Sequence, residues 1–113
     1  MTEPNGRLWH VTLTVAGDPV EPMLLRASLS RLREERPFID SVEFTGTSAC
    51  LDYWDEGAGM LDVASLALRL WSEHRESAGL PWWEIVGLEV VEKSVREARS
   101  GMRAAPTSLT FQL

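Results

Sequence analysis

Alternating apolar and polar positions predict four β-strands along the chain. In the stretch LWHVTLTV the apolar side chains occupy every second position, which is the spacing of a strand with one buried face. Four such stretches occur, at residues 8–15, 38–45, 48–57 and 82–92. Only Gly46 and Thr47 separate the second from the third, and so short a glycine-containing loop predicts a β-hairpin.

Two longer stretches repeat their apolar residues at intervals of three and four, which predicts helices. The first helix is expected to begin near Asp18, a residue type that caps helices, with Pro19 at the first helical position. It should end before Pro37, which cannot continue a helix. The second helix is predicted over residues 60–78, and Gly79 is suited to the cap that ends it.

The resulting order of strand, helix, strand, strand, helix, strand resembles the ferredoxin-like fold. This resemblance implies an α+β domain whose antiparallel sheet has the strand order 4-1-3-2, with both helices on one face. We expect residues 1–92 to form this domain. Residues 93–113 are expected to form a basic C-terminal tail with a short helix and a short strand, the latter at 107–113. A superfold implies no particular activity, and we find no motif of a narrower family.

The strand alternation divides the sheet residues between two faces. The face under the helices is predicted to receive the apolar residues Trp9, Val11, Leu13, Val42, Phe44, Leu51, Tyr53, Val86, Leu88 and Val90. The opposite face, called the open sheet face below, mixes polar groups with a tryptophan and the only cysteine. We predict it as an interface formed by His10, Thr12, Glu43, Cys50, Asp52, Trp54 and Glu89.

A tryptophan in the centre of an exposed sheet face is expected to be covered. A second copy of the same face is the simplest cover, because a self-complementary patch closes with two-fold symmetry. The rival cover is the short strand at residues 107–113, which could lie on its own sheet or extend the sheet of a neighbouring molecule.

Charge and composition narrow the classes of function. The net charge of −6 argues against nucleic acid as a partner, because phosphate binding requires clustered cations. The charge is unevenly distributed: residues 1–92 carry −9, whereas residues 93–113 carry +3. No apolar run is long enough to cross a membrane, and a single cysteine permits no intramolecular disulfide. We therefore expect a cytoplasmic protein without a nucleic-acid or membrane partner.

Few residues suggest catalysis. His10 and Asp52 on adjacent strands could begin an acid–base site, but no third group is evident, so a polar pair across two strands at a surface or dimer interface is the simpler explanation. Cys50 beside His10 could act as a nucleophile, although cysteine more often packs as a small apolar group. The acidic residues after Asp52 lack the spacing of a calcium loop. We therefore predict no catalytic residue, metal or cofactor.

A ligand pocket between the sheet and the helices is the other candidate site. Its predicted lining combines aromatic side chains with the second histidine, namely Trp9, Tyr53, Trp71 and His74. The alternative is a pocket between two subunits, lined by His10 and Asp52. Trp82 and Trp83 are adjacent, so one should pack under the second helix while the other is free to form an exposed aromatic patch.

Two functional hypotheses follow. The first is a non-enzymatic interaction or regulatory module that forms a homodimer through the open sheet face and contacts a further protein. The second is a small-molecule-binding protein or small enzyme of the dimeric ferredoxin-like type. A cavity of about 300 Å³ or more with convergent polar groups would favour the second, and a flat surface would favour the first.

Overall fold

A computed structural model describes residues 7–103 of the protein. Seven helices and strands lie within this range. In chain order they are β1 (Arg7–Ala16), α1 (Pro22–Glu35), β2 (Ile39–Phe44), β3 (Ser48–Gly57), α2 (Met60–Ala78), β4 (Glu84–Glu92) and α3 (Lys93–Arg103). The predicted α+β class is confirmed, with one four-stranded antiparallel sheet and three helices. The predicted strand at 107–113 lies outside the described residues.

The sheet has the strand order β2-β3-β1-β4, and every neighbouring pair is antiparallel. β1 and β3 are the two central strands, paired residue by residue over their full length, with Leu13 opposite Leu51. Both of these leucines are completely buried. Burying such a side chain contributes about 1.5–3 kcal/mol, so the centre of this sheet stabilises much of the fold.

The core lies between the sheet and the pair formed by α1 and α2. Leucines at helical spacing on α1 face the core, and a valine, an alanine, a leucine and Trp71 on α2 do the same. The Trp71 ring stacks on Trp83, with ring planes 2° apart and centroids separated by 6.2 Å. Within residues 7–103 no helix is both long and apolar enough to cross a membrane.

The first helix begins at Pro22, so the expected start near Asp18 and Pro19 is wrong. Glu21 is the N-cap, and its side chain accepts a hydrogen bond from the Leu24 amide. The preceding residues stay outside the helix, and they bond to other parts of the chain. The Val20 amide donates to the Gly46 carbonyl, and Trp83 Nε1 donates to the carbonyl of Asp18.

Val86 does not face the core, contrary to the prediction. A register irregularity between Thr14 and Val15 of β1 places Ile85, rather than Val86, opposite Val15. A bulge adds one residue to a strand and so reverses which side chains face inward beyond it. Val86 is therefore 60% exposed, whereas Ile85 packs against the core.

The two core helices overlap only at their C-terminal ends. Ser28 and Arg31 of α1 donate hydrogen bonds to the carbonyls of Gly79 and Ala78, at the end of α2. The N-terminal half of α2 therefore extends past the end of α1. This offset leaves part of the sheet near the end of β3 without a covering helix from α1, and a cavity opens there.

Candidate functional site

All seven residues predicted for the open sheet face lie on the face opposite α1 and α2. On the central strands, His10 is opposite Trp54 and Thr12 is opposite Asp52. On the edge strands, Glu43 pairs with Cys50 and Glu89 pairs with Thr12. Residues that pair across adjacent strands project from the same face, so the register brings the set together.

His10 is the most buried polar residue of the open sheet face. It is 9% exposed, and its ring packs edge-to-face on Trp54 with centroids 4.9 Å apart. Burial lowers the pKa of His10, and the positive charge of Arg96 lowers it further against the opposing effect of Asp52. At neutral pH the imidazole is therefore uncharged, and it acts as a packing group between the strands.

Asp52 receives its hydrogen bonds from hydroxyl groups. Thr12 Oγ1 donates to Asp52 Oδ1 at 2.8 Å, and Ser41 Oγ donates to Oδ2 at 3.3 Å. His10 Nε2 lies 3.7 Å from Oδ1, beyond hydrogen-bond distance. The carboxylate thus links three strands of the sheet, and it does not orient the imidazole as a general base requires.

Cys50 is too far from His10 to be activated by it. Cys50 is opposite Thr14, four residues along β1 from His10, and a strand of that length spans about 13 Å. The nearest polar partner is Thr14, whose Oγ1 donates to Sγ at 3.8 Å. The part of the chain that the structure describes therefore holds no cysteine–histidine pair, and also no group of three potential metal ligands.

Helix α3 lies against the end of the open sheet face formed by β1 and β4. The Arg96 guanidinium lies 5.6 Å from the centre of the Trp54 ring, and Arg99 forms an ion pair of 3.4 Å with Glu89. Every side chain from Lys93 to Arg99 is nevertheless exposed. Exposed ion pairs and cation–π contacts each contribute about 1 kcal/mol or less, so α3 is weakly held.

The four residues predicted as a ligand pocket are not brought together. Trp9 and Trp71 are buried and donate their Nε1 hydrogens to the carbonyls of Gly57 and Pro81. Only Tyr53 lines the cavity near the end of β3, which has a volume of about 240 Å³. His74 lies beside it, in contact with Arg36, which also lines that cavity.

A chain of hydrogen bonds joins the end of α1 to α2 beside this cavity. Arg36 Nε donates to His74 Nε2 at 2.8 Å, and an arginine nitrogen can only donate. His74 therefore carries its hydrogen on Nδ1, which donates to Glu35 Oε1 at 2.7 Å. Ser77 Oγ donates to the same oxygen at 2.7 Å, and these two hydrogen bonds lower the pKa of Glu35.

Sequence patterns did not indicate most of this cavity. Arg36 and Phe38 flank Pro37, where the sequence predicts only the end of a helix and the start of a strand. Asp55 stands out only as part of an acidic run, and Glu73 only as part of the solvent-facing side of α2. These residues belong to the connection between α1 and β2, to β3 and to α2. The three segments meet because α1 and α2 are offset, and no local sequence signal encodes that offset.

We predict that the burial of His10 makes the protein less stable as the medium becomes acidic. The pKa of His10 is lower in the folded protein than its ordinary value of 6.5. The unfolded chain therefore binds more protons below pH 6.5, and stability falls as the pH decreases from 6.5 towards the folded pKa. Urea unfolding between pH 5 and 7.5 should show a steeper loss for the wild type than for His10→Gln. Parallel curves would contradict the prediction.

Comparison with known proteins gives one match. A family model described as a domain of unknown function (DUF8830) matches residues 8–107, which is most of the chain. No match was found among curated proteins or among solved structures.

Proposed function

The chain belongs to the DUF8830 family, and we propose that it is a non-enzymatic protein-interaction module that acts as a homodimer through the open sheet face and α3. The observation that carries this proposal is a division of charge. The β2–β3 half of the open sheet face presents Glu43 and Asp52. At the β1–β4 end, α3 presents Arg96, together with Lys93 and Arg99, which form ion pairs with Glu97 and Glu89.

Two-fold symmetry would bring these unlike halves together. In an isologous contact whose two-fold axis is parallel to the strands, the strand order of one protomer is reversed over the other, so the basic helix of one protomer faces the acidic half of the other. Glu43 and Asp52 of one protomer would then lie opposite Arg96 of the other. Complementary charges of this kind determine orientation and exclude wrong partners.

The weak attachment of α3 supports the same proposal. An isolated helix of 11 residues is marginal in water, and the side chains of α3 at residues 93–99 all remain exposed. Contact with a second protomer would bury the exposed Val95 together with the half-buried Trp54. The helix would therefore gain in the dimer the contacts that it lacks in the isolated chain.

The fold assignment and the cellular context belong to the same proposal. Read from the β4 edge, the strand order is 4-1-3-2, and we infer from it a ferredoxin-like domain over residues 1–92 followed by a basic tail. A further protein partner is proposed for the tail at 93–113, on the ground of its charge of +3. We place the protein in the cytoplasm because it carries a single, unpaired cysteine.

Sedimentation equilibrium on charge-reversed variants tests the dimer. We expect a wild-type dimer whose dissociation constant rises about tenfold or more in Arg96→Glu, because like charges would meet across the interface. Adding Glu43→Arg to that variant restores opposite charges and should recover most of the affinity. Raising the salt concentration should weaken the wild-type dimer.

Arg69→Glu is the matched control, since Arg69 is an exposed residue of α2 on the other side of the sheet. It changes the net charge by the same amount and should leave dimerisation unchanged. A wild type that stays monomeric at millimolar concentration would overturn the proposal. Equal weakening by Arg69→Glu and Arg96→Glu would also refute it, since net charge alone would then govern association.

A further inference from the structure

The cavity near the end of β3 combines an apolar wall with charged groups. Four apolar or aromatic side chains form the wall: Phe38, Tyr53, Leu66 and Leu70. Phe38 and Leu66 are 47% and 50% exposed, so apolar surface remains open to solvent at the cavity. The volume of about 240 Å³ equals that of about eight liquid waters at about 30 Å³ each, which is room for a small organic ligand.

Arg36, Asp55 and Glu73 supply charges of both signs to this cavity. Within the described residues, Arg36 has no carboxylate within 4.0 Å, although two carboxylates line the same cavity. The Asp55 Oδ1 atom accepts only the adjacent Glu56 amide, and Glu73 pairs with Arg69 at the surface. Arg36 and Asp55 therefore line the same cavity without forming an ion pair with each other.

Hydrogen bonds to neighbouring side chains fix the orientation of the Arg36 guanidinium. Arg36 Nε donates to His74 Nε2, and His74 Nδ1 in turn donates to Glu35. Among residues 7–103, no group accepts a hydrogen bond from the two terminal nitrogens, which form the fork that matches a carboxylate. A guanidinium held in this way loses little side-chain entropy when it binds a ligand.

Tyr53 adds a neutral polar group at the wall. Its ring packs against Phe38 with centroids 5.1 Å apart. Burial, with a smaller effect from the charge of Asp55, raises the pKa of Tyr53 to about 12. The phenol therefore keeps its hydrogen at physiological pH and can donate to a ligand oxygen.

We propose that this cavity binds a free α-amino acid with an aliphatic side chain of about the size of leucine. The ligand carboxylate would pair with Arg36, the ammonium group would pair with Asp55, and the side chain would lie against Phe38, Leu66 and Leu70. A zwitterion satisfies both unpaired charges at once, whereas a simple anion or amine leaves one of them desolvated. The cavity is on the helix side of the sheet, so this site is independent of the proposed dimer.

Titration of L-leucine into the full chain, followed by NMR chemical shifts, tests the proposal. Saturable shifts are expected at Phe38, Tyr53 and Leu66. Two analogues each remove one charge: 3-methylbutylamine lacks the carboxylate, and 4-methylpentanoate lacks the ammonium group. Each analogue should bind at least about tenfold more weakly than L-leucine, because a hydrogen-bonded charge contact is lost. Equal binding of all three compounds, or no saturable shift with L-leucine, would overturn the proposal.

Variants distinguish the two charge contacts. Asp55→Asn should weaken L-leucine about tenfold and leave 4-methylpentanoate unchanged, because that analogue carries no ammonium group. His74→Phe removes the acceptor that orients Arg36 and should weaken both ligands. Asp62→Asn, the same change at an exposed residue in the first turn of α2, should affect neither. A loss of L-leucine binding in Asp62→Asn equal to that in Asp55→Asn would refute the assignment.

Discussion

Replacing Trp83 with alanine is expected to lower the free energy of unfolding by about 3–5 kcal/mol, the range for removing a buried aromatic side chain. Trp83 is only 7% exposed, stacks on Trp71 and donates its Nε1 hydrogen to the Asp18 carbonyl at 2.8 Å. The substitution therefore creates a cavity between α2 and β4 and also removes the hydrogen bond that holds the segment before α1. Urea denaturation followed by circular dichroism measures the loss.

The neighbouring residue gives the matched control. Trp82 is 81% exposed, and its main contact is the Arg75 guanidinium, 3.4 Å from the ring centre. Because an exposed cation–π contact contributes about 0.5–1 kcal/mol, Trp82→Ala should cost no more than that. Similar losses for the two variants would mean that the assignment of Trp83 to the core and Trp82 to the surface is wrong.

Gly17→Ala is expected to destabilise the protein by about 1–3 kcal/mol, the usual cost of forcing an added carbon into a packed site. A Cβ atom at Gly17 would clash with Cδ1 of the buried Trp83 ring. The indole is stacked on Trp71, so it cannot move without loss of packing. Chemical denaturation of the single variant measures this cost.

A double-mutant cycle identifies the cause. In a Trp83→Leu background the ring edge is gone, so adding Gly17→Ala should cost much less than it does in the wild type. Gly59→Ser is the second control, because nothing lies within 4 Å of a Cβ at Gly59 and serine suits the N-cap of α2. It should be neutral or stabilising. An unchanged cost of Gly17→Ala in the Trp83→Leu background would exclude the proposed clash.

The strand β3 and the helix α2 were predictable in full because their signals are local. The alternation from Ser48 to Tyr53 is uninterrupted, and the apolar face of the second helix ends at a glycine two residues before a proline. Gly79 adopts the left-handed conformation, with φ of 73°, that its position in the sequence predicts. The α+β class follows from the order of such elements, since each apolar face must be buried against another.

The candidate surfaces were predictable only in part. The seven residues of the open sheet face share a face because side chains alternate between the two faces along each strand. This placement does not depend on what covers the face. The position of α3 over Trp54 depends on how the chain turns after β4, so the sequence indicated a basic tail without its location. The cavity beside Arg36 arises from the offset between two helices that are separate in the chain.

Adjacent residues show where local pattern stops being informative. Trp82 and Trp83 have the same side chain, and Ile85 and Val86 differ little in hydrophobicity, so each pair satisfies the pattern in either arrangement. The bulge opposite Thr14 and Val15 determines that Ile85, and not Val86, faces the core. Of the two tryptophans, Trp83 is the one that packs against Gly17 and Trp71. The start of α1 is similar, because Asp18-Pro19 and Glu21-Pro22 both offer a cap followed by a proline.

Periodicity and capping are properties of neighbouring residues, and they determine that residues 7–103 form four strands and two core helices. Contacts between distant segments determine which of two equivalent neighbours is buried. They also determine where a helix begins and where a cavity opens. Those contacts lower the free energy only once the sheet has assembled, because the Trp83 ring and the Asp18 carbonyl are 65 residues apart. A local pattern therefore cannot contain them, and the tertiary structure decides them.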